Sequence, residues 1–551
     1  MADEKPPVVC GIDLGTTNSA IAYIDEHGKA QVIPNTDNDR ITPSVVLFEQ
    51  NEVIVGKIAK NSAVAAPDRV VQFIKRHMGE EGWVKTYFAK EYTPETISAL
   101  ILKKLVQDAE QVGGRRVSTV VITVPAYFNE VERKATQDAG IIAGLNVVSV
   151  LNEPTAAALA YGMDRLGEKK RCLVYDLGGG TLDVTIIQID GTKIEVLATD
   201  GERRLGGIDW DDEIINHVAE KFRAEHGIDP RSDLDAYQDL RNKAEDAKIA
   251  LSRLDRVRIL CQCQGKSTKV ELTREEFEKM TKGLLDQTET YLGVVLNKAK
   301  LTWKDIDVVL PVGGMTRMPC VQAMLRRVTE INAETSLNPD ECVAMGAAYY
   351  NAVLTVQSTP DVTAAITQGV ALKGEVTAKE QKAAEKQAEE VKKTLLQNID
   401  DEVKVLLQGV EITNVNSHSL GIIGIRKADG KLINHAMIPK NTPIPCDKTE
   451  PFGTASANQV SVQIKVVEGE SEDPEDCVEI GTCVLSELPA GRQAGAVVDV
   501  TYKYKVDGRL EVFGRDRATG KEAKVEIVRK AGMDKDEVIR AKDTILDMEI
   551  G

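Results

Sequence analysis

Hydrophobic positions along the first part of the chain follow two alternating patterns. Short β-branched runs predict strands over 8–13, 44–49, 119–124, 171–175, 184–189 and 307–310. Between them, apolar residues recur at helical spacing over 96–112, 130–140, 211–226, 240–254 and 274–300. The mixture predicts an α/β architecture. Around Thr359 the pattern changes. Residues 373–402 are rich in Lys, Glu, Gln and Ala, and Ala384, Ala388, Val391, Leu395 and Ile399 form one narrow apolar stripe. Glu375→Lys379 and Glu389→Lys393 add i,i+4 pairs. This reads as a solvated helix with its seam packed on its own domain, rather than as a coiled coil for a partner. From Val403 onward apolar and polar residues alternate, as in 460–467, 497–506 and 523–528, with turns at Asp429-Gly430 and Asp507-Gly508. That predicts a β-sandwich, followed by a helix beginning at Asp534.

Composition narrows the class. A chain of 551 residues holds about three to five domain-sized units. With aromatics at 4%, cores and grooves are built from aliphatic side chains. A net charge of −17 argues against a nucleic-acid or anionic-membrane surface. No apolar stretch has transmembrane length, and no apolar signal core follows the acidic start, so the expected compartment is the cytosol. The nine cysteines are thinly spread. Cys261 and Cys263 share one face of an alternating run; a metal pair is conceivable there, but incidental reduced thiols fit better, since no His or second Cys pair is near.

The chemistry begins with a repeated device. An apolar strand ends in Asp13-Leu-Gly15-Thr16-Thr17-Asn18, and another ends in Asp176-Leu-Gly178-Gly179-Gly180-Thr181-Leu-Asp183. Glycines let backbone N–H groups approach a phosphate, the threonine adds a donor, and the aspartate can hold a hydrated Mg²⁺. One such turn is an ordinary hairpin. Two suggest a duplication that clamps one phosphate chain from both sides. A third element, Val308-Val-Leu-Pro-Val-Gly313-Gly314-Met-Thr-Arg317, suits a nucleoside, with Arg317 able to stack on a base.

At these residues the chain resembles the seventy-kilodalton heat-shock chaperones, whose ATPase domain has the actin-like fold. The resemblance runs through 11–18, 121–129, Asn152-Glu-Pro-Thr-Ala-Ala-Ala-Leu-Ala-Tyr-Gly162, 176–183, 313–317 and Asn338-Pro-Asp-Glu. It continues through Ser419-Leu-Gly421, 439–445 and Gly469-Glu470, and so covers nearly the whole chain. It implies an actin-like ATPase domain over 1–358, a linker with an inserted charged helix over 359–408, a peptide-binding β-sandwich over 409–530, and the start of a truncated helical lid over 531–551.

The resemblance also implies roles. Asp13 and Asp176 match the carboxylates that hold Mg²⁺ through water. Gly15, Thr16, Thr17 and Asn18 match the first phosphate loop, and Gly178, Gly179, Gly180 and Thr181 the second. Lys75, Glu153, Asp183 and Thr181 match the hydrolytic residues, with Lys75 stabilising the γ-phosphate and the carboxylates ordering the attacking water. Gly206 and Gly207 face the phosphates. Glu245, Lys248, Ser252, Gly313, Gly314, Arg317 and Asp340 match the adenosine clamp. Pro125 and Arg133 match an interdomain relay. Ile422, Ile425, Phe452, Ala455, Val462 and Ile464 fall where the family lines its peptide groove; pattern alone makes most of them core. The implied cofactors are ATP or ADP, Mg²⁺ and K⁺. The implied partners are unfolded hydrophobic polypeptides, a J-domain co-chaperone and a nucleotide-exchange factor, acting on a cytoplasmic monomer.

Departures from the family pattern bear on this reading. The segment between Lys75 and Pro94 is short, which predicts a reduced lobe and altered co-chaperone contacts. Arg203 and Arg204 precede the Gly206-Gly207 pair, and Ile208 stands where the family has an acidic residue; cations there would retune turnover. The 373–402 helix interrupts the interdomain linker, leaving 403–408 as the best linker candidate and 361–363 as the weaker one. Finally, little follows the sandwich, and a lidless groove should exchange peptide quickly. A nucleotide-gated adaptor with little turnover is the alternative function; a small-molecule kinase of the same superfamily is a third.

Overall fold

The computed structural model describes residues 5–163, 165, 169–370, 377–505, 510–527 and 533–551. Two mixed sheets share one local plan. In the first, the strand Lys5–Asp13 runs parallel to Arg115–Val124 and antiparallel to Asn18–Ile24, which pairs in turn with Ala30–Val32. In the second, Lys169–Leu177 runs parallel to Val308–Val312 and antiparallel to Leu182–Asp190, which pairs with Lys193–Glu202. The strand interiors are fully buried, which explains their near-continuous apolar runs.

The helices Glu153–Met163 and Cys342–Val356 lie between the two sheets and join them into one core. The packing is close enough to demand glycine. A Cβ on Gly346 would sit 1.8 Å from the Ala156 carbonyl oxygen, and one on Gly11 would sit 2.0 Å from the Ala348 nitrogen. The predicted helix over 274–300 is in fact two helices, Arg274–Met280 and Lys282–Lys298. They meet at Thr281, whose hydroxyl donates to the Phe277 carbonyl at 2.8 Å and competes with the helical ladder.

Two four-stranded antiparallel sheets form the later part of the chain. Leu420–Ile425 and Val462–Glu468 are central in one, Val497–Tyr504 and Leu510–Asp516 in the other. Met437, Ile464, Val466, Tyr502 and Val512 fill the shared core, as in a β-sandwich. The buried Tyr502 hydroxyl is satisfied by the Gly421 carbonyl at 2.8 Å.

The region between is helical: Pro360–Val370, Ala378–Asn398 and Asp401–Gly409. Thr377 and Glu380 form a capping box that starts the long helix, and Ala384, Val391, Leu395 and Ile399 are buried against the first sheet's core. Residues 373–376 of the predicted helix lie outside the described residues. Both linker candidates are corrected. Residues 361–363 and 403–408 sit inside helices, because their apolar positions fit a helix face packed on the core. The segment that enters the sandwich is instead the strand Glu411–Thr413, which adds in parallel to Lys193–Glu202.

The helix Lys535–Leu546 starts at the predicted Asp534 cap and packs on Glu130–Ile142 and Pro94–Gly113. Its C-terminal carbonyls are capped by a buried lysine: Lys103 Nζ donates to Ile545, Leu546 and Met548 at 2.9, 3.0 and 2.8 Å. Among the described residues, no helix is long and apolar enough to cross a membrane. Cys261 and Cys263 face the apolar core, and burial pushes the Cys261 thiol up to about 11.

Candidate functional site

A cavity of about 710 Å³ opens between the two mixed sheets. Its lining brings together Asp13, Gly15, Thr16, Thr17 and Asn18 from the first turn, and Asp176, Gly178, Gly179 and Thr181 from the second. Lys75 and Glu153 stand at its floor, and Gly207, Glu245, Lys248, Ser252, Gly313, Gly314, Arg317 and Asp340 form the far wall.

The two turns abut. A Cβ on Gly179 would meet the Thr17 side chain at 2.4 Å, and one on Gly180 would meet Thr16 at 2.7 Å. A Cβ on Gly206 would lie 2.5 Å from the Gly180 nitrogen, so three glycine segments stack without side chains. Gly180 and Gly206 support the cavity from behind and do not line it. Gly313 has φ 80°, a left-handed conformation that a side chain would strain, and its Cβ position faces the Leu177 carbonyl at 2.5 Å.

The floor is short of positive charge. Lys75 Nζ contacts Glu153 Oε1 at 2.5 Å, and both residues are buried. Asp176 and Asp183 are buried, and Asp13 is half-buried, around the same amine. Burial drives the carboxyls of Asp13 and Asp176 upward, neighbouring carboxylates add to it, and Lys75 opposes it. Burial likewise pushes Asp183 up to about 7, against the pull of two backbone N–H groups. On Lys75, burial favours the neutral amine, yet Glu153, Asp13 and Asp176 outweigh it and raise its pKa. Asp13, Glu153 and Asp176 line the cavity as hard oxygen donors beside one ammonium, although among the described residues no group of three or more is arranged to hold a metal ion directly.

The outer wall holds its side chains firmly. Lys248 Nζ donates to the Gly207 carbonyl at 2.9 Å and to Asp211 Oδ2 at 2.8 Å. Arg317 is braced by Asp340 and Asn338, each at 2.7 Å. Glu245 pairs with Lys60 at 2.7 Å across the cavity mouth. Asp211 and Arg76 were not foreseen. Arg76 donates to the Gly180 carbonyl at 3.0 Å and to Asp209 at 2.7 Å, and so fixes the second turn. The only signal in the sequence was its place beside Lys75. Arg203 and Arg204 are corrected in turn. Arg203 pairs with the buried Glu132, Arg204 is exposed, and neither lines the cavity. The buried Glu132 draws Arg203 away from the glycine pair.

Pro125 closes the strand Arg115–Val124, and Arg133 binds Asn152 and the Phe128 carbonyl. Arg133 also lines a second cavity of about 780 Å³, where the first sheet, the helix Pro360–Val370 and the sandwich meet. The six expected groove residues divide. Ile422 and Ile464 are buried in the sandwich core, Phe452 and Val462 pack at its margin, and Ile425 and Ala455 are exposed.

A family model described as Hsp70 protein matches residues 9–84, 80–411 and 403–548. The chaperone protein DnaK of Thermotoga petrophila is 39% identical over 545 residues, covering 98% of this chain and 83% of its own length. DnaK of Thermosipho melanesiensis is 39% identical over 525 residues, covering 94% and 80%. DnaK of Thermosipho africanus is 38% identical over 545 residues, covering 98% and 82%.

Proposed function

The chain belongs to the Hsp70 protein family, and from that premise we propose that it is an ATP-dependent molecular chaperone. Its actin-like part, residues 1–358, binds and hydrolyses ATP, and its sandwich, residues 409–530, holds exposed hydrophobic segments of unfolded polypeptides. The single observation that carries this reading is the abutment of two phosphate-type turns over Asp13, Glu153, Asp176 and Lys75 in one cavity.

In this reading the backbone N–H groups of both turns, with Thr16, Thr17 and Thr181, bind the phosphate chain. Asp13 and Asp176 hold Mg²⁺ through water, with K⁺ as a second candidate cation. The metal supplies neutralisation of the phosphate oxygens. Lys75 neutralises charge developing on the γ-phosphoryl group, and Glu153 and Asp183 orient the attacking water. Lys248 and Glu245 meet the ribose side, and Arg317 the base. Lys248 arrives with its ammonium already fixed by Gly207 and Asp211, so little ordering is left for binding. ATP state then sets peptide affinity through the contacts between the sandwich and the first part of the chain. Among these are the strand addition of Glu411–Thr413 and the Lys440–Asp200 pair at 2.8 Å. A J-domain co-chaperone and a nucleotide-exchange factor are the expected partners, and the cytoplasm the expected compartment. The adaptor reading loses one of its motives, because Arg203 faces Glu132 rather than the phosphates.

The test is single-turnover ATP hydrolysis by the full chain with Mg²⁺. The wild type hydrolyses bound ATP, and Lys75→Ala slows it by about a hundredfold or more. Absence of hydrolysis in both proteins would contradict the enzyme reading.

A further inference from the structure

The turn that carries Lys75 has a strained start. Phe73 has φ 61° and ψ 28°, a left-handed conformation that a bulky side chain rarely adopts. It opens the short 3-10 turn Ile74–His77, and its carbonyl accepts from the Arg76 N–H at 3.0 Å. The two residues that follow are committed, since Ile74 is buried among apolar side chains and Lys75 stands at the cavity floor. Strain of this kind persists only where the surrounding structure enforces it, and it gathers at functional sites.

The enforcement comes from the opposite wall. The Arg241 guanidinium lies 5.4 Å from the centre of the Phe73 ring, within the range of a cation–π contact. Arg241 belongs to the helix Leu234–Leu251, which also brings Glu245 and Lys248 to the cavity. Tyr237, one turn earlier, steadies the guanidinium: its hydroxyl accepts from Arg241 at 2.7 Å, and its ring lies at 4.9 Å. The far end of the Lys75 turn is tied to the same half of the molecule. Arg76 donates to the Gly180 carbonyl and to Asp209 Oδ2, and that oxygen also accepts from the Gly206 N–H at 2.7 Å. Lys75 therefore sits between two arginine ties, Arg241 on Phe73 and Arg76 on the second phosphate turn.

We propose that Phe73 and Arg241 are positioning residues for ATP hydrolysis: the guanidinium pins the ring, the ring holds the left-handed start of the turn, and the turn aims the Lys75 ammonium at the phosphate chain. Arg76 fixes the register of the turn, and the Phe73–Arg241 contact fixes its entry. Without that contact the backbone at Phe73 relaxes, and the amine loses its alignment with the γ-phosphoryl group while the groups that bind nucleotide stay in place. This rests on the reading of Lys75 as the group that neutralises charge on the γ-phosphoryl group.

The experiment uses the full chain with ATP and Mg²⁺, and reads single-turnover hydrolysis, ATP affinity and hydrogen exchange over residues 73–78. Arg241→Met should slow hydrolysis about tenfold, with ATP affinity within about threefold of wild type. Exchange at the Arg76 amide should rise about fivefold. Arg241→Lys keeps a cation over the ring and should bring hydrolysis back to within about threefold of wild type; a merely structural loss would not respond to the charge. Phe73→Leu should slow hydrolysis by a similar factor, and Arg241→Met added to it should cost less than about twofold more. Unchanged hydrolysis in Arg241→Met, or losses that multiply in the double variant, would overturn the proposal. If the wild type binds ATP without hydrolysing it, the enzyme reading fails and this role falls with it. A wild type that hydrolyses beside an equally active Arg241→Met contradicts the proposal alone.

Discussion

The cleft is polar and made of turns, whereas the sandwich is apolar and made of strand interiors. In the cleft, position is set by backbone. Gly179 and Gly180 lie against Thr17 and Thr16 with no room for a Cβ, and four carboxylates crowd one ammonium. In the sandwich, one family of aliphatic residues supplies both the core and the exposed surface. Ile464 is fully buried and Ile425 is 55% exposed, although both belong to the same expected groove. A substitution in the cleft should therefore remove activity and spare the fold. A substitution in the sandwich should reach stability first when it falls inside the core.

The largest effect that would break this contrast is in the sandwich core. Ile464→Ala should cost about 2–5 kcal/mol in urea denaturation of the sandwich transition. A loss of peptide binding with undiminished stability would show that Ile464 is a groove residue and not a core residue. In the cleft, Asp13→Asn, which keeps the side-chain shape, should weaken ATP·Mg²⁺ binding about tenfold or more while the thermal midpoint stays close to wild type. A large drop in the midpoint would mean that the turn is structural. Lys103→Met removes three bonds to the end of the helix Lys535–Leu546 and should loosen that helix by about 1–3 kcal/mol. Limited proteolysis would then cut near the C-terminus several times faster, with ATP affinity unaltered. The smallest effect is at Ile425→Ser, where stability should move by less than about 0.5 kcal/mol while a hydrophobic peptide binds more weakly. A peptide affinity equal to wild type would take Ile425 out of the groove.

Legibility in the sequence followed the same division. The strand–turn devices at Asp13 and Asp176 could be read because glycine, threonine and aspartate at fixed spacing have few other uses. They surround one cavity with Lys75 and Glu153, two residues that only the family resemblance singled out. Asp211 and Arg76 escaped notice because their role is to hold Lys248 and Gly180, and long-range partners leave no local pattern. Arg203 misled for the same reason, since its partner Glu132 is distant in sequence. The linker failed differently. Residues 403–408 are apolar enough for an extended linker, but Leu407 is buried in the core shared with Cys342–Val356, and that packing selects a helix. The narrow stripe over Ala384, Val391, Leu395 and Ile399 was readable as a helix face, and its target was not.

On the proposed function, the nucleotide in the cleft governs the grip of the sandwich. It is tested most directly by the release rate of a fluorescent hydrophobic peptide from the full chain, measured with ATP·Mg²⁺ and with ADP·Mg²⁺. Release should be at least about tenfold faster with ATP. Equal release rates in the two nucleotides, with both nucleotides bound, would contradict it.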